Sequence, residues 1–282
     1  YLEMWHAVNR FMTEKKKWMT CALPALDFGE ISTLLSENRR VALRLSKRFE
    51  KKPVPRLIVQ DLKAEIESLM ADMALIECIS ADGLQKRHWD EIRTLLGLNI
   101  DETKVSIDRI SEVANRKLEG LQAISERAMK EYSLENILNK MEAEWVNLEF
   151  TFTTWRESQI SILHGSAIED IQACLDEHTI KAQHVRGSPY IKPFERRAVD
   201  WEKKLFLIQE IIDVWVNVQS MYLYLEPIFN SDDIIKQMPQ EAKEFKIVDD
   251  DWQRVMAMVK RDPLVLRLVD FPGLLESLTQ AQ

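Results

Sequence analysis

The chain has 282 residues, and 46 acidic against 38 basic side chains leave a formal net charge of -8. That balance, with a pI near 5.4, argues against a protein built to grip nucleic acid or an anionic membrane. Apolar residues make up 46% and charged residues 30%, while the 7 Gly and 9 Pro fall well short of the roughly 12% combined share of average usage, which disfavours sandwiches, barrels and glycine-loop nucleotide folds.

Helices with short connections remain. Cys21, Cys78 and Cys174 are odd in number and far apart, so a disulfide framework is not expected and a reducing compartment fits. No apolar run approaches the roughly 18 residues of a membrane span, and no signal peptide opens the chain. The chain starts at Tyr1 and stops inside a helical pattern at Leu274–Leu278, so we expect a segment of something larger.

In chain order, Leu57, Leu62, Ile66, Leu69, Met73 and Ile76 recur at steps of mostly three and four, which predicts one amphipathic helix from Pro55 to Ile79. Pro53 and Pro55 suit its first turn. Ser80-Ala81-Asp82-Gly83 punctuates, and Leu84 to Leu96 reads as a short helix closed by Gly97. Residues 108–131 and 133–148 read as two further helices, with Ser133 as the N-cap of the second. The pattern then changes once. Residues 149–156, Glu-Phe-Thr-Phe-Thr-Thr-Trp-Arg, alternate with period two, as a half-buried strand does. A polar gap at Glu157-Ser158-Gln159 leads to Ile160-Ser161-Ile162-Leu163, predicting a small β-hairpin.

Ser166 to Val185 returns to helix, and Gly187-Ser188-Pro189 breaks it. The longest element runs from about Phe194 to Leu225. Trp201, Leu205, Ile208, Ile212 and Trp215 step by four, three, four and three, yet Phe206, Leu207, Ile211, Val214, Val216 and Val218 make other faces apolar too. A two-stranded coiled coil would keep those faces wet, so this helix reads as a spine packed on several sides. Pro227 ends or kinks it. Shorter helices follow, split near Pro239 and Pro263, with a last turn at Phe271-Pro272-Gly273. The fold class is therefore mainly α, elongated stacked helical bundles with one embedded hairpin at about 149–163. Possible sub-bodies are 1–148, 149–226 and 227–282.

Catalytic signatures are missing. No Gly is followed by Lys, and neither G-x-x-x-x-G-K-[ST] nor G-x-G-x-x-G, G-x-S-x-G or H-E-x-x-H occurs, so no phosphate cradle, nucleophile elbow or zincin helix can be assigned. Cys174, His178 and His184 are the best metal candidates, with the first two four apart on a predicted helix. A structural zinc wants four ligands and a catalytic one three plus water. The pattern favours a small apolar cysteine and two surface histidines. Asp249-Asp250-Asp251 lacks the alternation and central Gly of a calcium loop and suits a helix N-cap before Trp252. We assign no catalytic, cofactor-binding or metal residue. A basic stretch stands out: Arg39, Arg40, Arg44, Lys47, Arg48, Lys51 and Lys52 have only Glu37 and Glu50 nearby. Arg40, Arg44, Lys47 and Lys51 fall on one helix face, either a docking face for an acidic surface or a solvated face with snorkelling side chains. The eight Trp are scattered in helical apolar patterns and read as core.

Several runs resemble the linker region of dynein heavy chains. They are Lys86-Arg87-His88-Trp89, the stretch Gly187-Ser188-Pro189-Tyr190-Ile191-Lys192-Pro193-Phe194-Glu195, Trp201, and Trp215 followed by Tyr222-Leu223-Tyr224-Leu225-Glu226-Pro227-Ile228-Phe229. The similarity continues through Asp232-Asp233-Ile234, Met238-Pro239 and Val248 to Trp252. The resemblance implies a helical lever lying across a ring of AAA+ modules in the same heavy chain. ATP turnover in the ring bends and straightens the lever and moves the motor toward microtubule minus ends. The unbroken spacing from Leu225 to Asp232 looks like the axonemal branch, which implies a ciliary or flagellar axoneme. ATP and magnesium would belong to the ring and not to this segment. Intermediate chains, light chains and microtubules would bind elsewhere in the parent. Glu226 and Pro227 are the candidate hinge, where a long apolar spine gives way to short helices. The competing readings are a non-motor helical scaffold or spectrin-like spacer, and a metal-dependent enzyme around Cys174 and His178.

Overall fold

Steps of three and four between apolar residues dominate the chain, and helices result. The computed structural model describes residues 1–22, 26–101, 106–155 and 160–282. The fold is mainly α with one two-stranded antiparallel hairpin among the described residues. Close contacts divide the chain into two compact units, Tyr1–Ser133 and Leu134–Gln282. The boundaries proposed at 148 and 226 both fall inside the second, where residues 149–226 and 227–282 contribute to one apolar core.

The first unit holds α1 (Leu2–Thr20), α2 (Phe28–Arg48), α3 (Pro53–Ala71), α4 (Met73–Ile79), α5 (Lys86–Leu96), α6 (Ile107–Asn115) and the first part of α7 (Leu118–Trp145). Asp27 caps α2, its Oδ1 accepting from the Glu30 amide at 2.9 Å. Pro53 sits in the first turn of α3, where its missing N–H costs nothing. Phe11, Trp18, Ile31, Leu35, Leu62, Ile66, Leu75, Trp89 and Ile92 meet in its main core.

Two expectations change here. The single helix over 55–79 is two, because Asp72 interrupts it, its amide closing back onto the Leu69 and Met70 carbonyls. Leu57 is 60% exposed, so the buried stripe of α3 runs through Pro55, Val59, Leu62, Ile66 and Leu69 instead. Gly97 does close α5, at φ 70°, the left-handed geometry that glycine adopts without penalty. Gly83 serves a different need. A Cβ there would lie 2.5 Å from the Ala128 carbonyl oxygen and 2.9 Å from the Tyr132 Cβ on α7. Backbone cannot yield as a side chain does, so we expect Gly83→Ala to lower stability by about 1–3 kcal/mol. An unchanged urea midpoint would contradict that close approach.

α7 carries the clearest correction. Residues 108–131 and 133–148 are not two helices meeting at Ser133, since α6 ends at Asn115 and α7 runs unbroken from Leu118 to Trp145. The reason is packing continuity. Leu121, Ile124, Ala128, Glu131, Leu134, Leu138, Met141 and Trp145 are all buried, and a buried stripe continuing at steps of three and four overrides one favourable cap residue. Ser133 is neither Gly nor Pro, so nothing breaks the turn.

The second unit adds β1 (Phe152–Thr154), β2 (Ser161–Leu163), α8 (Gly165–Arg186), α9 (Glu195–Phe229), α10 (Asp232–Gln237), α11 (Pro239–Arg261) and α12 (Leu274–Gln280). The hairpin registers Phe152 with Leu163, Thr153 with Ile162 and Thr154 with Ser161, a shorter strand than the eight residues expected. The predicted gap at 157–159 lies outside the described residues. Gln219 of α9 binds the hairpin, its Oε1 accepting from the Leu163 amide at 2.8 Å. Upstream, Phe150 N–H donates to the Pro263 carbonyl and Val265 N–H to the Leu148 carbonyl, so the chain on both sides of Pro263 is fastened to the approach of β1.

α9 is the spine. Trp201, Leu205, Ile208, Ile212 and Trp215 are all buried, as are Ile211 and Val218, while Phe206 is exposed. α8 packs along it. Trp201 meets Trp145 edge-on at 6.4 Å between centroids, and Phe150 lies 5.7 Å from Trp215. Pro227 lies inside α9, and the helix runs two residues further to Phe229. Asp249-Asp250-Asp251 is no N-cap, because α11 starts ten residues earlier at Pro239. Lys246 pairs with Asp249 and Asp250, and Arg254 with Asp251, one turn away on either side, which offsets the repulsion of three adjacent carboxylates. Gly273 turns the chain into α12 at φ 76°. No described helix is long and apolar enough to cross a membrane.

Candidate functional site

The three candidate metal residues do not converge. Cys174 is half-buried and His184 exposed, whereas His178 is 1% exposed and is no surface histidine. Both its nitrogens are engaged. Trp145 Nε1–H donates to His178 Nδ1 at 2.7 Å, and Nε2 lies 3.0 Å from Glu144 Oε2. An indole nitrogen can only donate, so Nδ1 carries no proton and Nε2–H donates to Glu144. The ring is a neutral clamp between α7 and α8. Among the described residues no group of three His, Cys, Asp or Glu side chains has the arrangement of a metal site.

A second buried histidine, His88 of the Lys86–Trp89 run, sits in the first unit. His88 is fully buried. The Gln85 amide donates to its Nδ1 at 3.1 Å, and its Nε2 lies 3.1 Å from Glu131 Oε2. The same tautomer follows. Glu131 is itself 5% exposed and also receives Arg87, whose Nε is 2.9 Å away, with Arg127 at 3.9 Å. His88 at the third position of α5 completes a reciprocal cap with Gln85. That spacing is the signal that could have found it. Glu131 interrupting the apolar stripe of α7 is the other.

Burial pushes both histidines below their ordinary value of 6.5, Glu131 and Glu144 only partly opposing it, with Arg87, Arg127 and Lys181 adding to it. The unfolded chain therefore takes up these protons near 6.5 and the folded chain only at lower pH. Stability should be full above about 6.5 and fall as pH drops from there through the folded values. Urea unfolding should show a lower midpoint at about pH 5.5 than at about pH 7.5, and equal midpoints would contradict the neutral-clamp reading.

The basic stretch is less free than its composition suggested. Arg40 and Lys47 are exposed on α2, but Arg44 and Arg48 both bind Glu3 of α1, the latter at 2.8 Å. Lys51 lies beyond Phe49, the residue that caps the C-terminus of α2, so the four residues do not share one helix face. Lys52 stands over the Tyr1 ring at 5.1 Å.

Around Glu226 and Pro227 the structure places an aromatic ladder. Tyr222 stacks on Trp252 at 4.9 Å and on Phe245 at 5.8 Å, and Phe229 stacks on Phe245 at 5.1 Å. The Tyr222 hydroxyl donates to Asp249 Oδ1 at 2.7 Å. Burial, then the Asp249 carboxylate, pushes its pKa well above the ordinary tyrosine value. Rings from both sides of Pro227 thus rest on one residue of α11.

The sequence that builds these two units has relatives. The family described as Dynein heavy chain, N-terminal region 2, matches residues 1–282. The chain is 36% identical over 283 residues to dynein axonemal heavy chain 3 of Homo sapiens, covering 100% of this chain and 7% of that protein. It is 34% identical over 283 residues to dynein axonemal heavy chain 12 of Mus musculus, with 99% and 9% covered. With dynein axonemal heavy chain 1 of Rattus norvegicus it shares 30% over 280 residues, 99% of this chain and 6% of that protein. The chain belongs to the dynein heavy chain family, as the runs at 187–195 and 222–229 imply, and it matches the N-terminal region 2 of that family. It spans less than a tenth of the length of these curated relatives.

Proposed function

We propose that this chain is the force-transmitting linker of an axonemal dynein heavy chain, a lever that bends and straightens over an AAA+ ring to drive minus-end-directed movement in cilia or flagella. The observation that carries the reading is the match of all 282 residues to the N-terminal region 2 of dynein heavy chains. The packing of α8 and α9 around Trp145, Trp201 and Trp215 supports it, since close-packed aromatic cores compress little and transmit load. In this reading ATP and magnesium are held by the ring, and intermediate chains, light chains and microtubules by other parts of the heavy chain. Arg40, Lys47 and Lys51, joined by Arg44 where Glu3 releases it, would steer the lever onto an acidic ring surface, an attraction that weakens with salt. The hinge lies at Glu226 and Pro227. Rotation there must slide Phe229 or Tyr222 off Phe245.

Two measurements test this. Calorimetry on the 282-residue chain should show no saturable ATP binding at about micromolar affinity or better, and such binding would place nucleotide chemistry inside the segment. Labels on Lys203 and Lys260, each substituted by Cys in the full heavy chain, should change separation between nucleotide-free and ATP-bound states. If residues 190–282 superpose as one rigid body in both, the hinge is elsewhere.

A further inference from the structure

The second unit carries a cavity between α7 and the start of α9, about 560 Å³ in volume. Its apolar lining is Pro193, Phe194 and Trp201. Phe194 and Trp201 belong to the core, so that lining is fixed by packing and not by loose surface side chains. The charged lining is segregated. α7 contributes Glu135 and Glu142, whereas α9 contributes Arg196, Arg197 and Lys204 with Asp200. The acidic wall is already engaged. Glu142 takes Arg197 through two bonds, Nε to Oε1 at 2.9 Å and Nη2 to Oε2 at 2.7 Å. Asn139 Oδ1 accepts from the same guanidinium at 2.7 Å. The bonds to Glu142, with the Glu135 charge added, hold the Arg197 pKa above its ordinary value, so both carboxylates act on that one cation.

The α9 wall is not balanced in this way. The Arg196 side chain is 96% exposed, and Asp200 at 3.8 Å is its one ion-pair partner among the described residues. Lys204 is exposed, as is Lys203 before it, and neither has an ion pair among the described residues. Arg196 and Lys203 are seven apart and share a helix face. Three cations thus stand against one carboxylate on this stretch of α9, in a chain whose net charge is -8. Charge complementarity selects an acidic occupant and repels a basic one. Geometry sets its spacing. Arg196 and Lys204 are eight residues apart, with Trp201 between them, which is about 12 Å along the helix. An extended chain covers that distance in about four residues, and its alternate side chains point the same way. Glutamates at i and i+4 would meet the two cations, and an apolar residue at i+2 would enter over Trp201.

We propose that this cavity binds an extended acidic segment of a partner protein, its carboxylates on Arg196 and Lys204 and an apolar side chain between them against Pro193 and Trp201. This site is independent of the lever reading, so the test uses the 282-residue chain. The probe is a short labelled peptide with glutamate, leucine and glutamate at every second position and serine between. Fluorescence anisotropy should give a Kd of about 100 µM or tighter, rising with salt. The double variant Arg196→Glu, Lys204→Glu should weaken binding at least tenfold, and Asp200→Asn should tighten it. All three positions are exposed, so circular dichroism melts should be unchanged. The double variant Arg40→Glu, Lys47→Glu, exposed on α2, makes the same charge change in the first unit and should bind as the parent does. A peptide with serine in place of leucine should bind at least threefold more weakly. Absent binding, equal loss in the α2 variant, or indifference to the leucine would each overturn the proposal. So would displacement of the peptide by an equal concentration of inorganic phosphate, or cavity-dependent binding of a single-stranded oligonucleotide in its place.

Discussion

Replacing Trp215 with Ala should cost about 3–5 kcal/mol of stability. The ring is fully buried in the middle of α9, in contact with Phe150 at 5.7 Å, and Val218 and Ile212 beside it are buried as well. Truncation removes the transfer free energy of an indole and leaves a cavity that neighbours held by helical geometry cannot collapse into. Trp215→Phe separates packing from polarity. It keeps a ring against Phe150 and removes an indole N–H that has no hydrogen-bond partner among the described residues, so its cost should be roughly half or less. Trp201 is 5% exposed and meets Trp145 edge-on, and Trp201→Ala should fall in the same range. The two positions are fourteen residues apart, about 21 Å along the helix, far enough for their effects to add. A double substitution would therefore remove about 6–10 kcal/mol, comparable to the whole stability of a typical domain. Urea denaturation of the single variants is the measurement. A midpoint shift too small to resolve would mean the rings contribute little to the core.

The spine and the hairpin were legible in the sequence for related reasons. α9 presents apolar residues on several faces, which only a helix packed on many sides can bury. The period-two run from Phe150 to Trp155 stands out because its surroundings follow a period near 3.6. Local signals misled where distant contacts decided the outcome. Ser133 looks like a cap, yet the core residues Leu134 and Leu138 carry the helix through it. Asp249 looks like a helix start, yet its carboxylate is the acceptor for Tyr222, 27 positions earlier. The basic stretch looked unbalanced because its counter-charge, Glu3, lies more than forty positions away. The histidine clamps were hidden for the same reason: His88 and Glu131 are 43 residues apart, and Trp145 and His178 are 33. Periodicity reports which face of an element is buried, but not which polar groups meet across it. Family resemblance fared better than composition, since it drew on runs such as Ser188-Pro189-Tyr190, which lie in the short connection between α8 and α9.

Removing Glu131 should destabilise the first unit by an amount far larger than a surface carboxylate would. Its side chain is 7% exposed, and it stands at an apolar position of α7 where charge is costly unless fully paired. Three groups keep it there: the Nε2–H of His88 at 3.1 Å, the Arg87 guanidinium through Nε at 2.9 Å, and Arg127 at 3.9 Å. Glu131→Ala leaves the His88 N–H without its acceptor inside the core and Arg87 without its counter-ion. Breaking a fully buried pair costs about 3–5 kcal/mol. The Arg87 side chain is 36% exposed and can regain water, so about 2–3 kcal/mol is expected. Glu131→Gln discriminates between charge and hydrogen bonding. Its carbonyl can still accept from His88, but it offers Arg87 no negative charge, and its loss should be smaller than that of Ala. The variants should also differ in acid. Glu131 opposes the burial that lowers the His88 pKa, so without its charge His88 protonates at still lower pH in the folded state, and the acid loss of stability should start near 6.5 as before but reach further. Unfolding midpoints of both variants across pH would decide the matter, and a Glu131→Ala cost below about 0.5 kcal/mol, the level of an exposed helix pair, would show that the cluster does not hold α5 to α7.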